Sequence, residues 1–308
     1  MCGIVGIIPD KSRKVGKDLI EMLNTLQHRG TDSAGVAVYQ EEFDREDTYR
    51  LVAEVMDKPG SFGGLGNAIG GAGGDIRNIS FRPSPHGEKG LNICKLRVPG
   101  KDELGQVIEK INSSEVANVY SYGKSVQVIK DLGLVEDLER GYNVSSMSGT
   151  HGIGHVRFST ESGVDRKHAH PFHTEDLPDI SVVHNGQITN HYKVRGELER
   201  KGFSFSSDND SEVIVYFIAD QLRQDRTLKE ALKASVEVLD GPFSYLVATS
   251  QGVGVARDKL GLRPMAWVQG DKGKYVASEE VALMDISNGS EVEYFNPGEV
   301  RVFEQTKN

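Results

Sequence analysis

Strand-like segments lie in groups at both ends of this 308-residue chain, and helix-like segments lie between the groups. The first forty residues have the pattern of a strand, a helix and a second strand. The predicted apolar face of that helix consists of Leu19, Met22, Leu23 and Leu26. Strict alternation of single strands with single helices is missing. The chain therefore favours an α+β fold of stacked layers over a doubly wound parallel sheet.

Regular patterning returns after Thr150. The strings "HGIGHVRF" and "DISVVHNG" predict strands, and an amphipathic helix is predicted after "SDND". Its apolar face consists of Ile214, Phe217, Ile218 and Leu222. Thr227 and Glu230 have the spacing of a capping box, which predicts the start of a further helix.

The stretch from about Asp57 to Ser148 has a different composition. It contains the glycine-rich string "GSFGGLGNAIGGAGG" at 60–74 and has few apolar residues before position 116. Such a composition is typical of a loop or a poorly packed insertion without a core of its own. We therefore predict a single domain, residues 2–308, that carries an insertion at about 57–148.

Charge and hydropathy exclude several classes of protein. The net charge of -9 disfavours general binding to nucleic acid or to an anionic membrane, which both require basic surface. No apolar run approaches the length of a membrane span, and the N-terminus lacks the pattern of a secretory signal peptide. The only two cysteines, Cys2 and Cys94, do not form a disulfide framework. We predict a cytoplasmic protein.

Two other types of site can be tested against the sequence. The "GKS" at 123–125 resembles the end of a phosphate-binding loop, but the required glycine is replaced by Asn118. His168, His170 and His173 do not match a common zinc spacing. We interpret them as partly exposed loop residues and predict no metal site.

Cys2 is the first candidate for chemistry. If Met1 is removed, its thiol and the free α-amine belong to one residue, which joins a nucleophile to a base. An α-amine has an ordinary pKa of about 7.7 to 8.0, so it can accept the thiol proton near neutral pH. The alternative is a small buried hydrophobe at the start of a strand.

Four further residues would complete a site for amide cleavage. Asn185 and Gly186 end a predicted strand and pair a side-chain amide donor with a backbone N–H that can turn sharply. Arg157 ends another strand and suits a bidentate contact with a carboxylate. Asp210 begins a helix, where it either caps the helix or holds a substrate ammonium group.

Five strings in this order resemble the class II glutamine amidotransferases, which are N-terminal-nucleophile hydrolases. They are "MCGIVGI", "LQHRGTDSAG", "GHVRFST", "VVHNGQITN" and "NDSEV". The resemblance covers Cys2 to about Val38 and Thr150 to about Glu280. It implies a four-layer αββα fold with two stacked antiparallel sheets.

The resemblance also implies roles for individual residues. Cys2 matches the nucleophile that attacks the side-chain amide of L-glutamine, and Asn185 and Gly186 match the oxyanion hole. Arg157 matches the residue that binds the glutamine α-carboxylate, and Asp210 matches the one that binds its α-amine. Two further implied contacts with glutamine involve a closing loop at Arg29 and Gly30 and the pocket residue Thr160. Glu161 departs from the histidine of some family members.

The resemblance further implies a partner that uses the ammonia. The chain has no room for a synthase domain, so we expect the acceptor half to be a separate polypeptide. "RFST", "AHPF" and "HNGQITN" are most similar to glutamate synthase, and in particular to the glutaminase subunit of its split form. FMN and iron–sulfur centres are then expected only on partner subunits, with no cofactor in this chain. We expect the 57–148 insertion to contact the partner.

Three alternatives stay open on the sequence alone. The chain could serve N-methylglutamate synthase or another amidotransferase, because the partner selects the acceptor. It could also be a catalytically inactive subunit that binds glutamine and regulates a synthase. The third alternative is an amide hydrolase that acts without an ammonia-using partner.

Overall fold

The computed structural model describes residues 2–159, 163–174 and 177–305. Within these ranges the chain forms strands, α-helices and two short 3-10 helices, at Gln27–Arg29 and Val144–Ser146. The strands are β1 (Gly3–Pro9), β2 (Ser33–Tyr39), β3 (Thr48–Met56), β4 (Asp75–Pro83), β5 (Lys89–Arg97), β6 (Ala117–Gly123), β7 (Val126–Leu132), β8 (His151–Arg157), β9 (Phe172–His173), β10 (Ile180–Gly186), β11 (Phe243–Thr249), β12 (Gly252–Arg257), β13 (Ala266–Gly270), β14 (Gly273–Ala277), β15 (Glu293–Tyr294) and β16 (Val300–Glu304). The helices are α1 (Val15–Thr25), α2 (Ser61–Gly70), α3 (Lys101–Asn112), α4 (Val135–Tyr142), α5 (His191–Arg200), α6 (Asp210–Arg223), α7 (Leu228–Val238) and α8 (Val281–Ser287).

Two antiparallel sheets form the centre of the molecule. One has the strand order β15-β13-β14-β1-β8-β2-β7, and the other has the order β16-β12-β11-β10-β9. Helices α1, α4 and α8 pack on the outer face of the first sheet. Helices α5, α6 and α7 pack on the outer face of the second. This arrangement confirms the predicted four-layer αββα fold with stacked antiparallel sheets.

Alternating apolar residues explain why the two sheets stack. In β1, Val5 and Ile7 belong to the core under the helices, whereas Ile4 and Ile8 belong to the core between the sheets. Leu246 of β11 reaches the same inner core from the other sheet. Because successive side chains of a strand point to opposite faces, a strand buried on both sides is apolar at nearly every position.

Local patterns predicted helices α1, α6 and α7. Helix α1 buries Leu19, Met22 and Leu23 as expected from their spacing. Helix α7 begins at the predicted capping box, where the Thr227 N–H donates to Glu230 Oε2 at 2.8 Å. This pair satisfies backbone donors that the first helical turn leaves unpaired.

The prediction of a loop-like, poorly packed insertion is wrong. Residues 48–123 form a third antiparallel sheet, with the order β4-β5-β3-β6, which we call the inserted sheet. Helices α2 and α3 cover it, and the apolar residues between them make a separate core. The predicted boundaries are also too late, because β7 and α4 belong to the seven-stranded sheet and its helical layer.

Helix lengths bear on membrane association. The 14-residue α6 is the longest helix in the part of the chain that the structure describes. None of the described helices is both long and apolar enough to cross a bilayer.

The inserted sheet should depend on its own core for stability. Leu51 of β3 is fully buried there, so Leu51→Ala leaves a cavity that should lower the free energy of unfolding by about 2–5 kcal/mol. Ile79→Ala is the matched control, because Ile79 of β4 is 40% exposed. We expect it to change the free energy of unfolding by no more than about 0.5 kcal/mol. Urea denaturation followed by circular dichroism measures both, and equal effects would contradict a packed core.

Candidate active site

A cavity of about 330 Å³ opens where β1, β8 and β10 approach the start of α6. A cavity of this size is at the lower end of the range for small-molecule sites. Five of its lining residues carry most of its chemistry, namely Cys2, Arg157, His170, Gly186 and Asp210. Four of these are site residues predicted from the sequence, and the fold brings them together from distant parts of the chain.

Cys2 lies at the entrance to β1, next to the end of β8. The antiparallel pairing of the two strands sets Gly3 opposite Val156, so Cys2 and Arg157 occupy neighbouring strand ends. Cys2 Sγ lies 3.8 Å from the carbonyl oxygen of Phe158. Burial raises the pKa of the Cys2 thiol, while the nearby guanidinium groups of Arg157 and Arg29 act in the opposite direction. The thiol therefore needs a base to become a nucleophile.

The structure gives Arg29 and Gly30 a different position from the one expected of a closing loop. Arg29 is buried; its Nε donates to the carbonyl oxygen of Cys2 at 2.8 Å, and its guanidinium pairs with Glu279. A Cβ at Gly30 would collide with the carbonyl of Arg157. Neither residue is among the described residues that line the cavity. Arg29 holds the backbone of Cys2, whereas Gly30 packs against the end of β8.

Asn185 and Gly186 end β10 beside the cavity. The Asn185 side chain is buried, and its Nδ2 has no hydrogen-bond partner among the described residues. Gly186 has φ 140°, and a Cβ there would lie 2.8 Å from Phe243 Cα. Only glycine suits that conformation and that approach. Gly186 lines the cavity, whereas Asn185 is not among its described lining residues and lies next to it in the chain with an unpartnered amide nitrogen.

Arg157 and Asp210 give the cavity opposite charges. Arg157 is buried, and its NH1 donates to the carbonyl oxygen of Gly163 at 2.8 Å. Burial lowers the pKa of Arg157. Asp210 Oδ2 accepts the Ile188 N–H at 2.7 Å, and Asp208 also lines the cavity. A cation beside carboxylates suits the α-carboxylate and α-ammonium groups of an amino acid.

Asp210 does not cap helix α6. Asn209 is the N-cap of α6, and its Oδ1 accepts the Ser211 N–H at 2.9 Å. The capping role considered for Asp210 therefore belongs to Asn209. Thr160, the other predicted pocket residue, lies outside the described residues.

Three buried histidines form a cluster at the site, and two of them, His170 and His184, line the cavity. The sequence analysis missed this arrangement. His155 and His170 stack with ring centroids 4.0 Å apart, and His155 Nε2 lies 3.0 Å from the carbonyl oxygen of His184. His184 Nδ1 contacts Ser211 Oγ at 2.8 Å. The available clue was that His155 lies two residues before Arg157 in "GHVRFST" and His184 lies directly before Asn185 in "VVHNGQITN".

The interpretation of the "HAHPFH" histidines as partly exposed is wrong for His170. That side chain is buried and lines the cavity, and neither ring nitrogen has a hydrogen-bond partner among the described residues. His168 instead lies between Asp165 and Asp208, with ring-nitrogen distances of 2.8 and 2.9 Å. Across the described ranges, no group of three or more His, Cys, Asp or Glu side chains is arranged to hold a metal ion.

Buried histidines should make the fold sensitive to acid. Burial lowers the pKa of His155 to about 3 and that of His151 to about 4, and it also lowers the pKa values of His170 and His184. The unfolded chain takes up protons from about pH 6.5 downwards, but the folded state does not. The free energy of unfolding should therefore fall below about pH 6.5, by roughly 2 kcal/mol per histidine between about pH 7.5 and 5.

Denaturant titrations at the two pH values, on wild type and on His170→Gln, measure this loss. The variant should lose less stability on acidification than wild type does. An unchanged pH dependence in His170→Gln would show that His170 is protonated in the folded state.

Comparisons with known proteins agree with this geometry. Residues 155–285 match the model of a family described as "Glutamine amidotransferase domain". The chain is 46% identical over 306 residues to a protein of Methanothermobacter thermautotrophicus named "Putative glutamine amidotransferase", covering 99% of this chain and 100% of that protein. It is 32% identical to the glutamine amidotransferase-like protein GlxB of Rhizobium meliloti, covering 98% and 97% of the two chains.

A solved structure shows the same fold. The glutamine phosphoribosylpyrophosphate amidotransferase of B. subtilis superimposes with a TM-score of 0.62 at 20% identity. The match covers 100% of this chain and 50% of that chain, so this protein corresponds to about half of that enzyme. The fold, the residues around the cavity and the relatives matched over their full length lead to one conclusion: the chain belongs to the class II glutamine amidotransferases.

Proposed function

We propose that this chain is a glutaminase subunit, which hydrolyses L-glutamine to glutamate and ammonia through a thioester on Cys2. One observation carries the proposal: a cysteine thiol, an arginine, an aspartate and a glycine turn line the same small cavity. The unpartnered amide of Asn185 lies beside them. Nucleophile, oxyanion donor and substrate clamps are the parts that acyl transfer requires.

The proposed reaction follows from these positions. Arg157 binds the α-carboxylate and Asp210 the α-ammonium, which directs the side-chain amide of glutamine towards Cys2 Sγ. The sulfur attacks the amide carbon, and the oxygen that becomes negative is stabilised by Asn185 Nδ2 and the Gly186 N–H. Collapse of this intermediate breaks the C–N bond, and ammonia leaves with the proton of the thiol. Water then cleaves the thioester and releases glutamate.

We also propose that the ammonia passes to a separate synthase subunit, with glutamate synthase the first candidate. The two relatives matched over nearly their whole length support a glutaminase that is not fused to its synthase. The strings "RFST", "AHPF" and "HNGQITN" favour glutamate synthase among the acceptors. FMN and iron–sulfur centres would then be carried by the partner subunits.

Two other roles differ from this one in their partner or their activity. As a subunit of N-methylglutamate synthase, the chain would use the same cavity and the same chemistry. As an inactive regulatory subunit, it would bind glutamine between Arg157 and Asp210 without cleaving it. Co-purification with the native synthase distinguishes a subunit of N-methylglutamate synthase from a subunit of glutamate synthase. An assay of glutamate release distinguishes an inactive regulatory subunit from an active glutaminase.

Removing the Cys2 thiol should abolish glutamate release. Cys2→Ala leaves the amide without a nucleophile, so glutamate release from glutamine by the complex should fall to background. Cys94→Ala is the matched control, because Cys94 is buried in the core of the inserted sheet, and it should keep wild-type kcat. Equal glutamate release by wild type and Cys2→Ala would instead support the regulatory role.

Removing the Asn185 amide should affect the transition state more than substrate binding. Asn185→Ala deletes one oxyanion donor, for which we expect kcat to fall by about 10²–10³ with little change in KM. Arg157→Lys should instead raise KM, since it loses the bidentate contact with the α-carboxylate. Steady-state glutaminase assays compare the two variants, and a pure KM effect in Asn185→Ala would contradict the oxyanion assignment.

A further inference from the structure

A second and larger cavity, of about 840 Å³, lies where the inserted sheet meets the rest of the molecule. Its walls come from β3 and β6 of the inserted sheet, from β7, from α6 and from the segment 163–174. The proposed glutaminase reaction makes no use of this cavity. Its volume is well within the range of small-molecule sites.

Most of the charged groups around this cavity neutralise one another. Arg166 is 7% exposed and contacts both oxygens of Asp131, at 2.7 and 3.0 Å, and Glu54 Oε1 at 2.8 Å. Lys89 Nζ lies 2.8 Å from the other oxygen of Glu54. This network joins the inserted sheet to β7, and its ion pairs leave these cations little capacity to bind a ligand.

Lys130 of β7 is different. It is 3% exposed and lines the cavity, and its Nζ donates to the carbonyl oxygens of Ala169 at 2.8 Å and Pro171 at 3.2 Å. An ammonium group has three donors, of which these carbonyls use two, and the rings of Tyr120 and Phe172 lie 5.0 and 5.3 Å from Nζ. No carboxylate in the described ranges forms an ion pair with Lys130. Burial lowers the pKa of Lys130 to about 8, which leaves the group charged at neutral pH. The carboxylates of Glu212, Glu54 and Asp165 act on this charge without pairing directly with it, and a buried charge without a direct ion pair is costly.

The rest of the lining restricts the chemistry of the missing anion. Val119, Leu132 and Phe172 offer apolar surface for an organic body. Arg166 is committed to two carboxylates, which leaves Lys130 as the single buried cation with a free donor in the described lining. One ammonium suits a carboxylate better than a phosphate dianion, which usually requires several cationic donors.

We propose that this cavity is a second binding site, for a small organic carboxylate whose charged group pairs with Lys130. The site is connected through one short segment to the cavity of about 330 Å³ that Cys2 lines, which we call the glutamine cavity. The carbonyls that Lys130 holds belong to Ala169 and Pro171, and His170 between them lines the glutamine cavity. Rearrangement of the Lys130 contacts on binding should therefore change KM for glutamine, and this second part rests on the proposed glutaminase function.

The test measures binding to the purified full chain by isothermal titration calorimetry. The probes are propionate, succinate and benzoate, with propionamide as the uncharged control and inorganic phosphate as the competing anion class. We expect at least one carboxylate to bind and propionamide not to bind. Binding of phosphate alone, or of no carboxylate at millimolar concentration, overturns the proposal.

Variants locate the site. Lys130→Met should weaken carboxylate binding at least tenfold, and Arg157→Lys, which alters the glutamine cavity, should leave it unchanged. If Lys130→Met does not fold, Leu132→Trp is the second variant; it narrows the cavity, retains the ammonium and should also weaken binding tenfold. Wild-type affinity in either folded cavity variant, or lost affinity in Arg157→Lys, overturns the assignment.

The effect of the bound carboxylate on KM for glutamine is tested separately. The bound carboxylate should change KM for glutamine at least twofold in wild type and not in the cavity variant. An unchanged KM in wild type overturns the coupling between the cavities. Absence of any glutaminase activity would contradict the proposed function instead, and the calorimetric result would be unaffected by it.

Discussion

The contact between His155 Nε2 and the carbonyl oxygen of His184 joins the two central sheets at the end where the chemistry lies. Each histidine stands one or two residues before a site residue: His155 precedes Arg157 on β8, and His184 precedes Asn185 on β10. This contact therefore helps to set the spacing between Arg157, the proposed substrate clamp, and Asn185, the proposed oxyanion donor. Placing such groups on strands, and locking the strands together, keeps their geometry more precise than loops would.

The nucleophile is held by a separate set of contacts. Pairing of β1 with β8 fixes where the chain enters the site, and Arg29 fixes the carbonyl of Cys2. Arg29 is in turn held by Glu279, which follows β14, the other neighbour of β1. A residue at the end of a chain would otherwise be poorly ordered. Anchoring its backbone from both sides reduces the entropy lost when Cys2 meets the substrate.

Sequence patterns predicted the parts of this fold that depend on local physics. The spacing in α1 and the capping box of α7 are short-range features, and the structure contains both. Glycine content misled the prediction for α2, where Leu65 and Ile69 turn one face towards α3 in a shared core. Tertiary packing stabilises that helix despite its low intrinsic propensity.

In the candidate site, too, sequence patterns identified some features and missed those that depend on long-range packing. Cys2, Arg157, Asn185 and Asp210 could be named because motif order and residue type together indicate an amide-cleaving site. The position of Arg29 behind the nucleophile could not, since it depends on a contact with Glu279, 250 residues away. The stacking of His155 on His170 and the burial of Lys130 are likewise products of long-range packing.

The inserted sheet reaches the glutamine cavity through very few groups. Strand β7 is the edge strand of the seven-stranded sheet and contacts β3 and β6 of the inserted sheet, and its Lys130 holds the backbone on either side of His170. The Arg166 network ties the same region to β3 of the inserted sheet. A displacement of the inserted sheet would therefore act on the wall of the proposed glutamine cavity through Arg166 and Lys130. Cys2 and the proposed donors lie at the ends of β1 and β10, which belong to the two central sheets, so the proposed catalytic groups and this wall rest on different parts of the fold.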